Sequence, residues 1–302
     1  MKNSEIRIGI IGSQSMHAWA FAQVCNEPCQ NGNYRFPNAR VTAVYGVDDT
    51  PEHLHTAMEK GKIPQAVTSL EELFEKCNAF MVLQRKGEEH LPFAEKIIEK
   101  GYPVFIDKPV CCAMEDVRKL AQLAQRHDAV ICGGSGFKYN RQILALKALL
   151  ASGSLGKVKT ATISYSADID SPYSGIFFYL PHAAEVMLEL FGYDWQSLRT
   201  QVYAHDQFEV HVTYPQYRIC LNLNNSKNCL VHIEADQPLS EQIDAGDIFV
   251  ENMRNFIAAI ENQRITKETA PLAEHVRLIL AVKQAMKEKT EIFRAQIQQP
   301  PV

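Results

Sequence analysis

The chain has 302 residues, beyond the length at which a single hydrophobic core usually stops growing, so two domains are expected. Its 46% hydrophobic and 22% charged residues lie near the globular average and exclude disordered, coiled-coil and collagen-like classes. Lys and Arg total 31 against 35 Asp and Glu; the net charge of −4 offers no positive field for phosphate backbones and argues against nucleic acid as a partner.

The strongly apolar stretches, such as Ile8 to Ile11 and Leu278 to Val282, fall far short of the ~20 residues needed to cross a bilayer, so no membrane partner is expected. The amino terminus runs from Met1 straight into a strand-like segment without a secretory signal, which makes the cytoplasm the expected location. Eight cysteines contain no CxxC pair, only Cys25-x-x-x-Cys29 and the adjacent Cys111-Cys112. Neither a disulfide framework nor a metal site is expected from that spacing.

In chain order, β-branched runs at Ile6 to Ile11, Val41 to Val47, Ala79 to Leu83, Val104 to Ile106 and Ala129 to Cys132 predict strands. Helical periodicity covers Ser15 to Cys25, Pro51 to Lys60, Ser69 to Lys76, Glu88 to Lys100 and Ala113 to His127. Asn26 to Ala39, rich in Asn and Pro, reads as a long surface loop. Short, uniformly apolar strands alternating with helices predict an α/β fold, a Rossmann-type doubly wound parallel sheet. The glycine cluster Gly133, Gly134 and Gly136 marks a boundary, giving domains at 1–136 and 137–302.

Beyond it the pattern changes. A helix from Tyr139 to Ala151 closes at Ser152-Gly153, Val158 to Ala167 reads as a long strand, and Leu180 to Phe191 as a helix. Leu198 to Ala204, Phe208 to Tyr214, Tyr217 to Leu223 and Leu230 to Glu234 read as antiparallel strands, followed by helices at Asp247 to Glu261 and Leu272 to Glu288. The second domain is therefore expected to be α+β, with an open, mainly antiparallel sheet.

The first strand-to-helix turn, Gly9-Ile10-Ile11-Gly12-Ser13-Gln14-Ser15-Met16-His17, sits where dinucleotide-binding folds carry G-x-G-x-x-G. Only Gly12 of that fingerprint is present; Gln14 and His17 stand at its second and third positions. A helix amino terminus still offers N–H groups and Ser13 and Ser15 add hydroxyls, so Gly12 to His17 remain the candidate anion site. At the end of the second strand Gly46 stands where a ribose-binding acid is usual. Asp48 or Asp49 can substitute from the loop, and Asp49 reads as the cap of the helix opening at Pro51.

The string Gly101-Tyr102-Pro103-Val104-Phe105-Ile106-Asp107-Lys108-Pro109, with His90 opening the preceding helix, resembles the Gfo/Idh/MocA family of NAD(P)-dependent oxidoreductases, the glucose-fructose oxidoreductase and inositol dehydrogenase type. The family's Glu-Lys-Pro is Asp-Lys-Pro here. The resemblance extends through Gly136-Phe137 with Arg141, Ser152-Gly153-x-Leu155-Gly156-Lys157-Val158, and Pro181-His182-x-x-Glu185 to Leu190-Phe191-Gly192.

That resemblance implies NAD or NADP as cofactor, with Gly12, Ser13, Gln14, Ser15, Met16, His17, Asp48, Gln84, His90, Asp107, Lys108 and Pro109 facing it. Lys108 would lie beside the nicotinamide ribose and substrate, and His182 would transfer the proton. The substrate would be a polyol or sugar-like small molecule, and the assembly a homodimer or homotetramer through the second sheet. The family's aspartate four residues before the histidine is Phe178 here, and the one three residues after it is Glu185. Asp168, Asp170, Tyr173 and Tyr179 are candidates to replace the lost carboxylate. A chain that binds a nucleotide or metabolite without turnover is the alternative reading of these departures.

Overall fold

A computed structural model describes residues 5–47, 49–224, 226–266 and 270–297. By its internal contacts the chain forms two compact units. The first comprises Met1–Val110, Lys119–Gly133 and Phe249–Glu268, the second Cys111–Arg118, Gly134–Ile248 and Thr269–Val302. Where the sequence division runs 1–136 and 137–302, these units interleave.

The first unit opens with β1 (Ile6–Ile11), α1 (Met16–Asn26), β2 (Ala39–Tyr45), α2 (Pro51–Gly61), β3 (Ala66–Val67) and α3 (Leu70–Lys76). It continues with β4 (Ala79–Val82), α4 (His90–Glu99), β5 (Val104–Ile106), the part of α5 (Met114–Arg126) from Lys119 onward, and β6 (Ile131–Gly133). The six strands pair in parallel in the order β3-β2-β1-β4-β5-β6, the expected doubly wound sheet. Ile8, Ile10, Ala79 to Val82 and Val104 to Ile106 are all buried, as strands covered on both faces must be. Strand order reverses between β1 and β4, and in such sheets ligands bind beyond the carboxyl ends of the strands at that switch.

α4 closes on Gly101 (φ +76), with Tyr102 N–H donating to Ile97 O (3.2 Å) and Gly101 N–H to Ile98 O (2.8 Å), a Schellman pattern. An added Cβ there would meet nothing within 4 Å, so only the left-handed backbone opposes a side chain. Gly101→Ala is expected to cost about 1 kcal/mol in urea unfolding, with no change of fold.

The second unit contains α6 (Arg141–Ala151), β7 (Thr160–Ser166), α7 (Leu180–Phe191), β8 (Ser197–Ala204), β9 (Gln207–Thr213), β10 (Arg218–Asn224), β11 (Cys229–Glu234) and β12 (Leu239–Ile243). Its sheet order is β12-β11-β7-β10-β9-β8-β13, where β13 is Ile292–Phe293. All pairs are antiparallel except β7 with β10, which run parallel, a pairing that strand-by-strand reading of the sequence does not supply. Alternation is clean: Val210, Val212, Ile219, Leu221, Leu223, Val231 and Ile233 turn inward onto α7 and α9 (Ala270–Glu288). The opposite face carries Thr, Ser, Asn, His and Arg side chains.

α8 (Ile248–Glu261) sends Met253, Phe256 and Ile257 into the core of the first unit. Among the described residues no helix is long and apolar enough to cross a membrane.

Candidate functional site

In the first unit the phosphate turn follows β1. Gly12 has φ +91, and a Cβ there would lie 2.9 Å from the Gln84 backbone nitrogen and 2.9 Å from its Cγ. Glycine is therefore required by the close approach of the segment after β4. Ser15 caps α1, its Oγ accepting from His17 N–H at 3.2 Å. Gln14 and Met16 are exposed, so the side chain at the second fingerprint position points to solvent. His17, at the third, turns inward: its Nδ1 is 2.6 Å from Asp107 Oδ2, and its ring meets Phe21 and Phe249 edge-on.

Asp49 is not the cap of α2. Thr50 holds that position, its Oγ1 accepting from His53 N–H at 3.2 Å. The Asp49 carboxylate instead bends back to the turn, where Oδ2 accepts from both N–H and Oγ–H of Ser13, each at 2.6 Å. A Cβ on Gly46 would touch Asp49 Cβ and Oδ2 at 3.3 Å. The loop acid thus fills the space that a side chain at position 46 would take. Asp48 lies outside the described residues.

β5 delivers Asp107 and Lys108 at its carboxyl end. Both are buried, at 5% and 6% exposure. Burial opposes ionisation of Asp107, but the charge and hydrogen bond of His17, with Lys108 beside it, pull its pKa down to about 2. For Lys108 burial prevails: it lowers the pKa, Arg85 adds to the effect, and Asp107 opposes it. The Lys108–Pro109 peptide is cis. His90 is fully buried, with Nδ1 2.8 Å from Pro109 O and Nε2 2.8 Å from Gln84 O. Its ring is engaged on both sides by backbone and clamps the segment after β4 to the Lys108 turn.

Whether these residues fit a dinucleotide is tested by Gln84. Its Oε1 is buried with no hydrogen-bond partner among the described residues. A buried acceptor without a donor costs about 1–3 kcal/mol, which a ligand hydroxyl or amide would recover. With the open side chain of Gln14 and the glycine-limited approach at Gly12, the residues fit the group.

In the second unit, α7 begins at Leu180, carries Pro181 at its second position and presents His182 in its first turn. His182 Nδ1 lies 2.7 Å from Ser135 Oγ, and the ring sits edge-on to Phe137 and Tyr165 with centroids 5.4 Å away. Ser135 N–H donates to Glu185 Oε1 at 2.8 Å. Glu185 Oε2 forms an ion pair with Lys138 Nζ at 2.9 Å, both side chains being 5% exposed or less. His275 Nδ1 lies 3.4 Å from Glu185 Oε1, and burial, with the Lys138 charge, pushes the His275 pKa down to about 3. The ring is therefore neutral at physiological pH. Gly134 (φ +82) leaves room for this cluster, because a Cβ there would sit 2.6 Å from Glu185 Oε2.

The other candidates separate. Tyr173 and Tyr179 flank Phe178, with centroids at 5.3 and 4.8 Å, forming a half-buried aromatic group. Asp170 is exposed and pairs with His205 at 3.0 Å, while Asp168 is half-buried. Ser135, Lys138 and His275 are the site residues that sequence reasoning missed; Asp49 it named, with the cap of α2 as the expected role. The first three meet Glu185 across 50, 47 and 90 positions of chain, a spacing with no local signal.

Residues 6–135 match the family model described as "Oxidoreductase family, NAD-binding Rossmann fold". The chain is 28% identical over 159 residues to the uncharacterized oxidoreductase YdgJ of Escherichia coli (strain K12), covering 47% of this chain and 46% of that protein. The match thus spans less than half the length of that relative. Among solved structures it resembles apo scyllo-inositol dehydrogenase from Lactobacillus casei with TM-score 0.82 and 13% identity, covering 98% of this chain and 100% of the other. The same enzyme with bound NAD(H) and scyllo-inositol gives TM-score 0.80 and 13% identity, covering 97% and 100%. At such identity these two likenesses speak to fold alone.

Proposed function

Residues 6–135 match the Gfo/Idh/MocA family of NAD-binding oxidoreductases, and on that premise we propose that the chain oxidises or reduces a sugar, cyclitol or similar polyhydroxylated small molecule. The observation that carries this reading is Lys108, a buried lysine at the carboxyl end of a central parallel strand and next to a carboxylate held ionised. An ion kept at that cost in a doubly wound sheet is best explained by a ligand.

When bound, nicotinamide supplies the hydride acceptor or donor. Oxidising a carbinol also releases a proton from oxygen, and that is the role proposed for His182. Ser135 holds the ring of His182 through Nδ1 in place of the absent carboxylate at position 178, while Glu185, neutralised by Lys138, fixes the backbone of Ser135. Lys108 holds the negative charge that develops on the substrate oxygen. His17 keeps Asp107 ionised beside it.

Asp49 supplies the cofactor preference. A carboxylate over Gly46 accepts hydrogen bonds from a ribose diol and repels a 2′-phosphate, so NAD is favoured over NADP. Titrating NADH and NADPH against protein fluorescence, with Trp19 as reporter, is expected to show NADH binding at least about tenfold tighter, a difference of about 1.4 kcal/mol. Asp49→Asn is expected to narrow that ratio. Absence of saturable quenching by either nucleotide would reject the redox reading in favour of a chain that binds some other metabolite without turnover.

A further inference from the structure

We propose that Glu209, His211 and Cys220 form a binding site for a zinc-class divalent cation on the polar face of the second sheet. β9 and β10 are antiparallel with His211 directly opposite Cys220, and Glu209, two residues before His211, shares its face. One ligand atom from each residue lies within 4.8 Å of the other two. A point therefore exists within about 2.8 Å of all three, and a contraction of about half an ångström reaches zinc bond lengths of about 2.0–2.3 Å.

A second observation is independent of that spacing. His211 Nε2 is 3.1 Å from Glu209 Oε2 but off the hydrogen-bond direction; it is out of contact with water and has no hydrogen-bond partner among the described residues. A cation seated between imidazole and carboxylate satisfies both atoms. Tyr203 O–H donates to Glu209 Oε2 at 3.0 Å and would orient the carboxylate from behind.

Imidazole, thiolate and one carboxylate form a borderline-soft set, suited to Zn²⁺ or Co²⁺ and poorly suited to Mg²⁺ or Ca²⁺. Three protein ligands leave a fourth position for water, and the adjoining concavity of about 490 Å³ gives it room. A thiol ligates such a cation as its thiolate, so binding releases the proton of Cys220. The groups facing that concavity are Arg199, Arg218 and Glu291. The two guanidiniums oppose a cation and hold the affinity below that of a closed structural zinc site.

The untagged full chain, stripped with chelator, would be titrated with Co²⁺ and then Zn²⁺. One cation per chain is expected, with a thiolate-to-cobalt charge-transfer band that Zn²⁺ abolishes. Cys220→Ser is expected to lose the band, and His211→Gln and Glu209→Gln to weaken binding at least tenfold, with NADH binding unchanged in all three. No saturable binding by the wild type, a band that survives Cys220→Ser, or undiminished affinity in both other variants would overturn the site, whatever the outcome for the redox reading.

Discussion

Lys108→Ala is expected to lower the turnover of an identified cyclitol or sugar substrate by about 10²–10⁴-fold, while NADH binding changes by less than about tenfold. The split is what distinguishes a group acting on developing charge from one that merely holds cofactor: removing uniform binding raises KM, whereas removing an interaction made only in the transition state lowers kcat. Lys108→Arg is expected to fail as a rescue, because a planar guanidinium cannot occupy the space of a compact ammonium at a residue 6% exposed. The pH profile gives a second reading. Burial lowers the lysine's pKa, and Arg85 adds to it, against the opposing pull of Asp107. A rate that needs the ammonium is present below that lowered pKa and falls as pH rises through it, so the alkaline limb should appear below the ordinary lysine range. Unchanged turnover in Lys108→Ala would remove the residue from the chemistry.

The portions of this architecture that were legible in the sequence share a local cause. Leu180 to Phe191 is a helix with the expected bounds because Pro181 opens it and Gly192 (φ +90) ends it. β1 and β5 are recovered to the residue, since both are buried on two faces and bounded by turn residues. β3 and β13, two residues each, have no period to detect, and the parallel pairing of β7 with β10 depends on contacts 58 positions apart. The site divides the same way. Gly12, Asp107 and Lys108 sit on strand ends that sequence reading finds. Asp49 looks like a helix cap by position, and only the closure of the turn on Gly46 directs it to Ser13. Cys220 and His211 are unremarkable in spacing and meet because β9 pairs with β10.

The stability of the second unit turns on one buried charge pair, and the largest expected loss from a single substitution there is in Lys138→Met. Glu185 is 3% exposed and pairs with the ammonium of Lys138 at 2.9 Å, while the neighbouring His275 is neutral. Burial alone would lower the pKa of Lys138, but the Glu185 carboxylate outweighs it and raises it. A raised lysine contributes stability in full below its unfolded pKa and loses it as pH rises through the folded value, so the pair is intact throughout the neutral range. Removing the ammonium leaves a buried carboxylate without that cation, and urea unfolding is expected to show a loss of about 3–5 kcal/mol. Lys138→Met combined with Glu185→Leu should recover most of that loss, because two apolar side chains of similar volume avoid the desolvation of both ions. The double variant is nonetheless expected to lose turnover, since Ser135 N–H then has no acceptor and the hydroxyl beside His182 Nδ1 is no longer held. A single variant as stable as the wild type would show that Glu185 is not ionised in the fold. A double variant that regains stability but keeps full turnover would detach the cluster from His182 and leave it a purely structural pair.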